Sequence, residues 1–182
     1  MKLKRILGQA LLMLVLLGLC GQGACSRYYL ASASTGSYMN AAQGGEPTAV
    51  RLFIYQLTRL PPSLPTAACS ELLGKTPSAL VDVLAPEGRV IAKSIFPGFE
   101  KSAERATLGD ELSKDTAWLL VVPEFYECRD DKPRWIAFKM GGNSGTQELA
   151  FQMQGYSIRP HPSMREVACT NVNPQLCARI GR

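Results

Sequence analysis

Val50, Leu52 and Ile54 alternate with Arg51, Phe53 and Tyr55 along TAVRLFIYQLTRL, residues 48–60, so both faces of an extended chain are largely apolar here. β-branched and aromatic side chains in this pattern predict a strand covered on each side. PPSLP then stops it. TAACSELLG, residues 66–74, has Thr66 as a cap, helix formers behind it and Gly74 as a stop, which predicts one short helix. SALVDVLAP and GRVIAKSIFPG read as strands separated by the turn residues Pro86, Glu87 and Gly88. KSAERATLGDELSKDT stays open between a helix and a polar edge strand with a loop. The strongest strand pattern is TAWLLVVPEFYEC, residues 116–128. Pro123 within it predicts a bulge or an edge position, because proline cannot donate to a ladder. RWIAFKM and QELAFQMQGYSIRP alternate in turn, with GGNSG, residues 141–145, expected as a hairpin turn between them.

About seven short strands punctuated by turns, with one inserted helix, predict an all-β fold: a two-sheet β-sandwich over residues 48–158. The stretch ASASTGSYMNAAQGGEP has no apolar period, and residues 25–47 are expected to form a flexible tether. Residues 159–182 read as an irregular, disulfide-linked C-terminal tail.

The beginning of the chain follows a different plan. Lys2, Lys4 and Arg5 precede an apolar run from Ile6 to Leu19 that is too short to cross a bilayer, which is the layout of a signal peptide over residues 1–24. Setting it aside removes three of the 20 basic residues, so 17 remain against 15 acidic ones. With no Lys/Arg cluster, the charge balance gives no reason to expect nucleic-acid binding.

Two cysteines close this segment. Cys20 follows Leu17 and a bulky Leu19, while Cys25 follows the small pair Gly23 and Ala24, with Gln22 where a lipoprotein box has an aliphatic residue. Besides the lipidated residue, cleavage before Cys25 leaves four cysteines, enough for two bridges, and cleavage before Cys20 leaves five, one of them unpaired. Cys25 is therefore the expected lipidation site, with Cys20 as the alternative and ordinary cleavage near GQGA as a third course. Ser26 follows, not the aspartate that commonly holds enteric lipoproteins at the inner membrane, so outer-membrane attachment is expected. One acyl chain binds only marginally, and a processed lipoprotein carries three, palmitate among them.

Export also favours oxidised thiols. Cys69, Cys128, Cys169 and Cys177 can pair in three ways. Closure of the short loop CTNVNPQLC favours Cys169 with Cys177, leaving Cys69 with Cys128; four buried free thiols are the other reading. There is no Cys-x-x-Cys unit and His161 is the only histidine, so no metal or cofactor is expected.

The inventory for catalysis is poor. His161 lies between Pro160 and Pro162, and no sequence feature marks a serine as its partner. Asp130 and Asp131 are adjacent and would point opposite ways on an extended chain, and GGNSG lacks the lysine and helix of a phosphate loop. The chain is read as non-enzymatic, with no small-molecule substrate. The apolar stretch LTRLPPSLP is a candidate partner surface, with packing at the sandwich end as its equal alternative.

VRLFIYQL followed by ACSELLG, RVIAKSIFPGFEKSAERATLGDEL, TAWLLVVPEFYE and PRWIAFKM occur in the order found in one family. Over residues 48–158 the chain resembles the TssJ lipoproteins of the bacterial type VI secretion system. The resemblance implies a transthyretin-like sandwich anchored by lipid to the periplasmic face of the outer membrane, binding the periplasmic domain of the inner-membrane protein TssM. It also implies contact residues in the loops flanking the first helix, including Leu57, Leu60, Leu64 and Leu73. The alternative is a lipid-anchored ligand- or peptide-binding sandwich unrelated to secretion.

Overall fold

The computed structural model describes residues 26–36, 49–62, 64, 90–99, 105–125, 133–142, 145–170 and 172. These form nine strands: β1 (Arg27–Thr35), β2 (Val50–Leu57), β3 (Val90–Phe99), β4 (Arg105–Leu112), β5 (Trp118–Pro123), β6 (Ile136–Lys139), β7 (Gly145–Gln154), β8 (Ser157–Pro160) and β9 (Ala168–Thr170). One sheet runs β4-β1-β7-β8 and the other β3-β2-β5-β6-β9. The fold is the expected two-sheet sandwich. The helix expected at 66–74 and the strand at SALVDVLAP lie outside the described residues.

The inner faces meet in one cluster. Tyr29, Ala31 and Ala33 of β1 and Leu149, Phe151 and Met153 of β7 lie against Leu52, Ile54, Leu119, Val121, Ile136 and Phe138 of the other sheet. Each fully buried large apolar side chain contributes about 1.5–3 kcal/mol, so this cluster supplies most of the drive to stack the sheets. Phe138 and Phe151 touch across it at 6.3 Å between ring centroids.

Within the part of the chain expected as a tether, Arg27–Thr35 is strand, and residues 37–47 lie outside the described residues. β1 is a central strand, antiparallel to β4 and parallel to β7. Its alternation is strict, but the inward residues beyond Tyr29 are two alanines and Thr35 and the outward ones beyond Leu30 are serines, so it reads as small and polar. Ala31 and Ala33 are fitted here because Leu149 and Phe151 stand beside them in register and fill the space. On the other flank, a Cβ on Gly109 would sit 2.8 Å from the Tyr29 carbonyl oxygen, so the close approach of β4 to β1 requires glycine.

Three further expectations change. GGNSG is not a hairpin turn: Lys139 ends β6 in one sheet and Gly145 begins β7 in the other, so the segment carries the chain between layers. The hairpin is β7 to β8, turned at Gly155 with φ 56° and Tyr156. β5 is central rather than an edge, and Pro123 is its last residue. Glu124 N–H donates to the Arg51 carbonyl, which makes the neighbouring Leu52–Pro123 pair the non-hydrogen-bonded kind. Its nitrogen thus faces β6, whose pairing has already stopped at Val121 with Ile136. Finally, the tail from 159 contributes the end of β8, a 3-10 turn at Pro162–Met164 and β9, which pairs with β6. Within the ambiguous stretch 101–116, Arg105–Leu112 forms β4, an edge strand among the described residues, its exposed Arg105, Asp110 and Glu111 suiting a border.

Candidate functional site

At the near end of the sandwich β1 starts; at the far end it finishes. The near end is built from the start of β1, the β4 to β5 turn, residues 58–60 after β2 and the link from β6 to β7. Arg27 is 9% exposed, and its guanidinium donates to carbonyls of Ser113, Lys114, Thr116 and Gly141 at 3.1 to 3.5 Å. The Ser26 carbonyl accepts from Gly145 N–H at 3.3 Å. Alongside, Gln56 donates to the Glu111 carbonyl at 2.7 Å, and its Oε1 accepts from Ser113 N–H at 2.9 Å and the Thr116 hydroxyl at 2.7 Å. Gln56 belongs to one sheet and Arg27 to the other, and the 113–116 turn bonds to both. The chain is thus fixed to the fold from its first described residue.

The far end has no such network among the described residues. Arg51 forms a two-pronged pair with Glu124, Nε to Oε2 at 2.6 Å and Nη2 to Oε1 at 3.0 Å, while remaining exposed. The hydrogen bonds and the charge of Glu124 hold the Arg51 guanidinium above its ordinary pKa.

The expected contact leucines do not share one surface. Leu57 is wholly buried and Leu64 is 1% exposed, both in a second apolar cluster on the outer face of the five-stranded sheet. Both side chains are packed within that cluster, beneath the surface. Leu60 is partly buried against the same cluster, and Leu73 lies outside the described residues. Phe53, Tyr55, Trp118, Leu120, Val122 and Trp135 complete it, and neither the Tyr55 hydroxyl nor the Trp135 indole N–H finds a hydrogen-bond partner. Burial pushes the Tyr55 hydroxyl pKa up.

The outer face of the other sheet is open. Tyr28 and Leu30 are 44% and 42% exposed, flanked in register by Glu111 and Gly109 on β4 and by Thr146 and Glu148 on β7. Tyr29, one residue on, points inward, and its hydroxyl pKa is pushed up to about 12, chiefly by burial. The Ser94 hydroxyl lies near enough to oppose this in part, though without hydrogen-bonding geometry, and the Asp110 carboxylate adds to it. Ser94 itself donates to Asp110 at 2.6 Å and ties the edge strands of the two sheets together.

Cys169 is disulfide-bonded. Its partner, together with Cys20, Cys25, Cys69, Cys128, Cys177, Asp130 and Asp131, lies outside the described residues, so the expected lipidation site and the pairings Cys69–Cys128 and Cys169–Cys177 do too. His161 does have a serine beside it, with Nδ1 2.8 Å from the Ser163 hydroxyl. The same nitrogen accepts from Ser163 N–H at 3.3 Å, so the exposed imidazole caps the 3-10 turn that follows. This is a local contact between residues two apart, and it points the nitrogen at the turn rather than at a cleft.

No protein-family model matches the chain. No curated protein matches its sequence either. Solved structures do match its fold. The chain superposes on the type VI secretion lipoprotein TssJ1 of Pseudomonas aeruginosa with a TM-score of 0.58 and 16% identity, over 75% of this chain and 99% of that one. Serratia marcescens Lip, a membrane-bound component of the type VI secretion system, gives 0.59 and 16% over 76% and 99%. A structure of the T6SS protein TssM C-terminal domain (869-1107) from EAEC contains a chain that gives 0.57 and 15% over 74% and 98%.

Proposed function

We propose that this chain is a lipid-anchored component of a type VI secretion membrane complex, held at the periplasmic face of the outer membrane through Cys25 and binding the periplasmic domain of a TssM-like inner-membrane protein. The observation that carries the reading is the shared sandwich, which spans 99% of the TssJ1 chain and of Lip. The signal-like N-terminus and the TssM-related and membrane-complex structures among the fold neighbours support it. The role is structural and non-enzymatic: the space between the sheets is filled by side chains of both, and His161 caps a turn. Docking would rest on an interface of about 800 Å² per partner with a few anchoring side chains.

Intact-mass analysis of membrane-extracted protein tests the anchor and is expected to give Cys25 as first residue with three acyl chains and oxidised thiols. Cys25→Ser is expected to leave a soluble periplasmic protein that no longer supports secretion. Full secretion by that variant, or failure of a TssM-like periplasmic domain to bind the folded sandwich, overturns the proposal.

A further inference from the structure

Cys25 stands two residues before β1, and from Ser26 onward the backbone is fixed. Ser26 bonds to Gly145, and Arg27 is clamped to the 113–116 turn and to Gly141. We infer that the near end of the sandwich is seated directly on a phospholipid surface, with no spacer between lipid and fold. The inference rests on the lipid-anchor reading above and adds to it the face that meets the membrane.

Reach decides which end meets the membrane. Two extended residues span about 7 Å, comparable with the headgroup layer on one side of a bilayer, roughly 5–8 Å deep. The ten residues of β7 run about 30 Å from the near end to the far end. A domain held on so short a leash cannot turn its far end to the membrane without pulling β1 out of its sheet. The near end also has suitable chemistry. Lys114 and Lys139 are exposed there, and so is Arg59 in the turn after β2. Tyr28, exposed at the corner where β1 begins, carries the amphipathic ring that settles at headgroup depth. Asp115 in the turn and Glu111 beside Tyr28 are exposed acids, so the rim is of mixed charge among the described residues. Seating this end leaves the far end, with Gly36, Glu124 and the Gly155 hairpin, directed into the periplasm towards a protein partner.

The test uses full-length acylated protein on phosphatidylethanolamine and phosphatidylglycerol vesicles doped with a nickel-chelating lipid, and a nitroxide on Lys114→Cys or Gln154→Cys. The label at 114 is expected to relax several-fold faster than that at 154. A Gly/Ser linker of about twenty residues between Cys25 and Ser26 is expected to abolish the difference while the protein stays on the vesicles. Equal relaxation at both positions without the linker, or faster relaxation at 154, overturns the inference when intact mass shows the acyl chains in place. Absence of acylation and of vesicle binding overturns both the inference and the anchor reading beneath it.

Discussion

The two ends of the sandwich solve the same problem in opposite ways. At the near end Gln56 and Arg27 are 3% and 9% exposed, and they hold two sheets and a turn through bonds to backbone groups. At the far end Arg51 and Glu124 join neighbouring strands of one sheet through an ion pair that water surrounds. A buried polar group that loses its partner leaves donors and acceptors stranded, whereas exposed charges are taken up by solvent. Short contact distances at the far end therefore say little about stability. The buried ones at the near end say more.

The largest effect is expected from Gln56→Leu, similar in size, which strands the Glu111 carbonyl, the Ser113 N–H and the Thr116 hydroxyl. Chemical denaturation is expected to report a loss of about 3 kcal/mol. Arg27→Met comes next at about 2 kcal/mol, since water can reach some of the carbonyls it abandons. A wild-type-like denaturation midpoint for both variants would erase the contrast between the ends. A third measurement sharpens it with pH. The Tyr29 hydroxyl is raised from 10.0 to about 12 in the folded protein. Its contribution is therefore whole below pH 10 and is lost as pH rises towards 12, because the unfolded chain gives up its proton first. Tyr55 acts in the same direction. Tyr29→Phe is expected to flatten the alkaline fall in melting temperature relative to wild type. The smallest effect belongs to Glu124→Gln: despite the 2.6 Å contact it severs, the melting temperature is expected to stay within experimental error of wild type.

How much of this was legible depends on what each residue signals locally. β2 and β5 announce themselves because both their faces are apolar, and β7 because Leu149, Phe151 and Met153 mark one face at period two. β1 obeys the same period, yet alanine and serine differ too little in size and polarity to display it. Bulky neighbours on β7, more than a hundred residues away in sequence, make those alanines a core. GGNSG shows that the chain changes direction but not which sheet receives it, and that choice is made by β1 pairing with β7. Pro123 was a sound warning about hydrogen bonding, and the fold meets it by ending the β6 ladder early. The leucines of 57–64 carried apolarity without side. Only the second cluster, on the outer face of the five-stranded sheet, shows that Leu57 and Leu64 are covered there.

The parallel pairing of β1 with β7 also sets an order of events. Tyr29 can meet Asp110 once β4 is made, but its other neighbour, Gln147 on β7, lies more than a hundred residues further along the chain. Such non-local closure is slow, and in the meantime the β7 side of β1 stays unpaired. The four-stranded sheet consequently closes only once β7 is made, and a chain truncated before β7 is expected to leave β1 with one open edge.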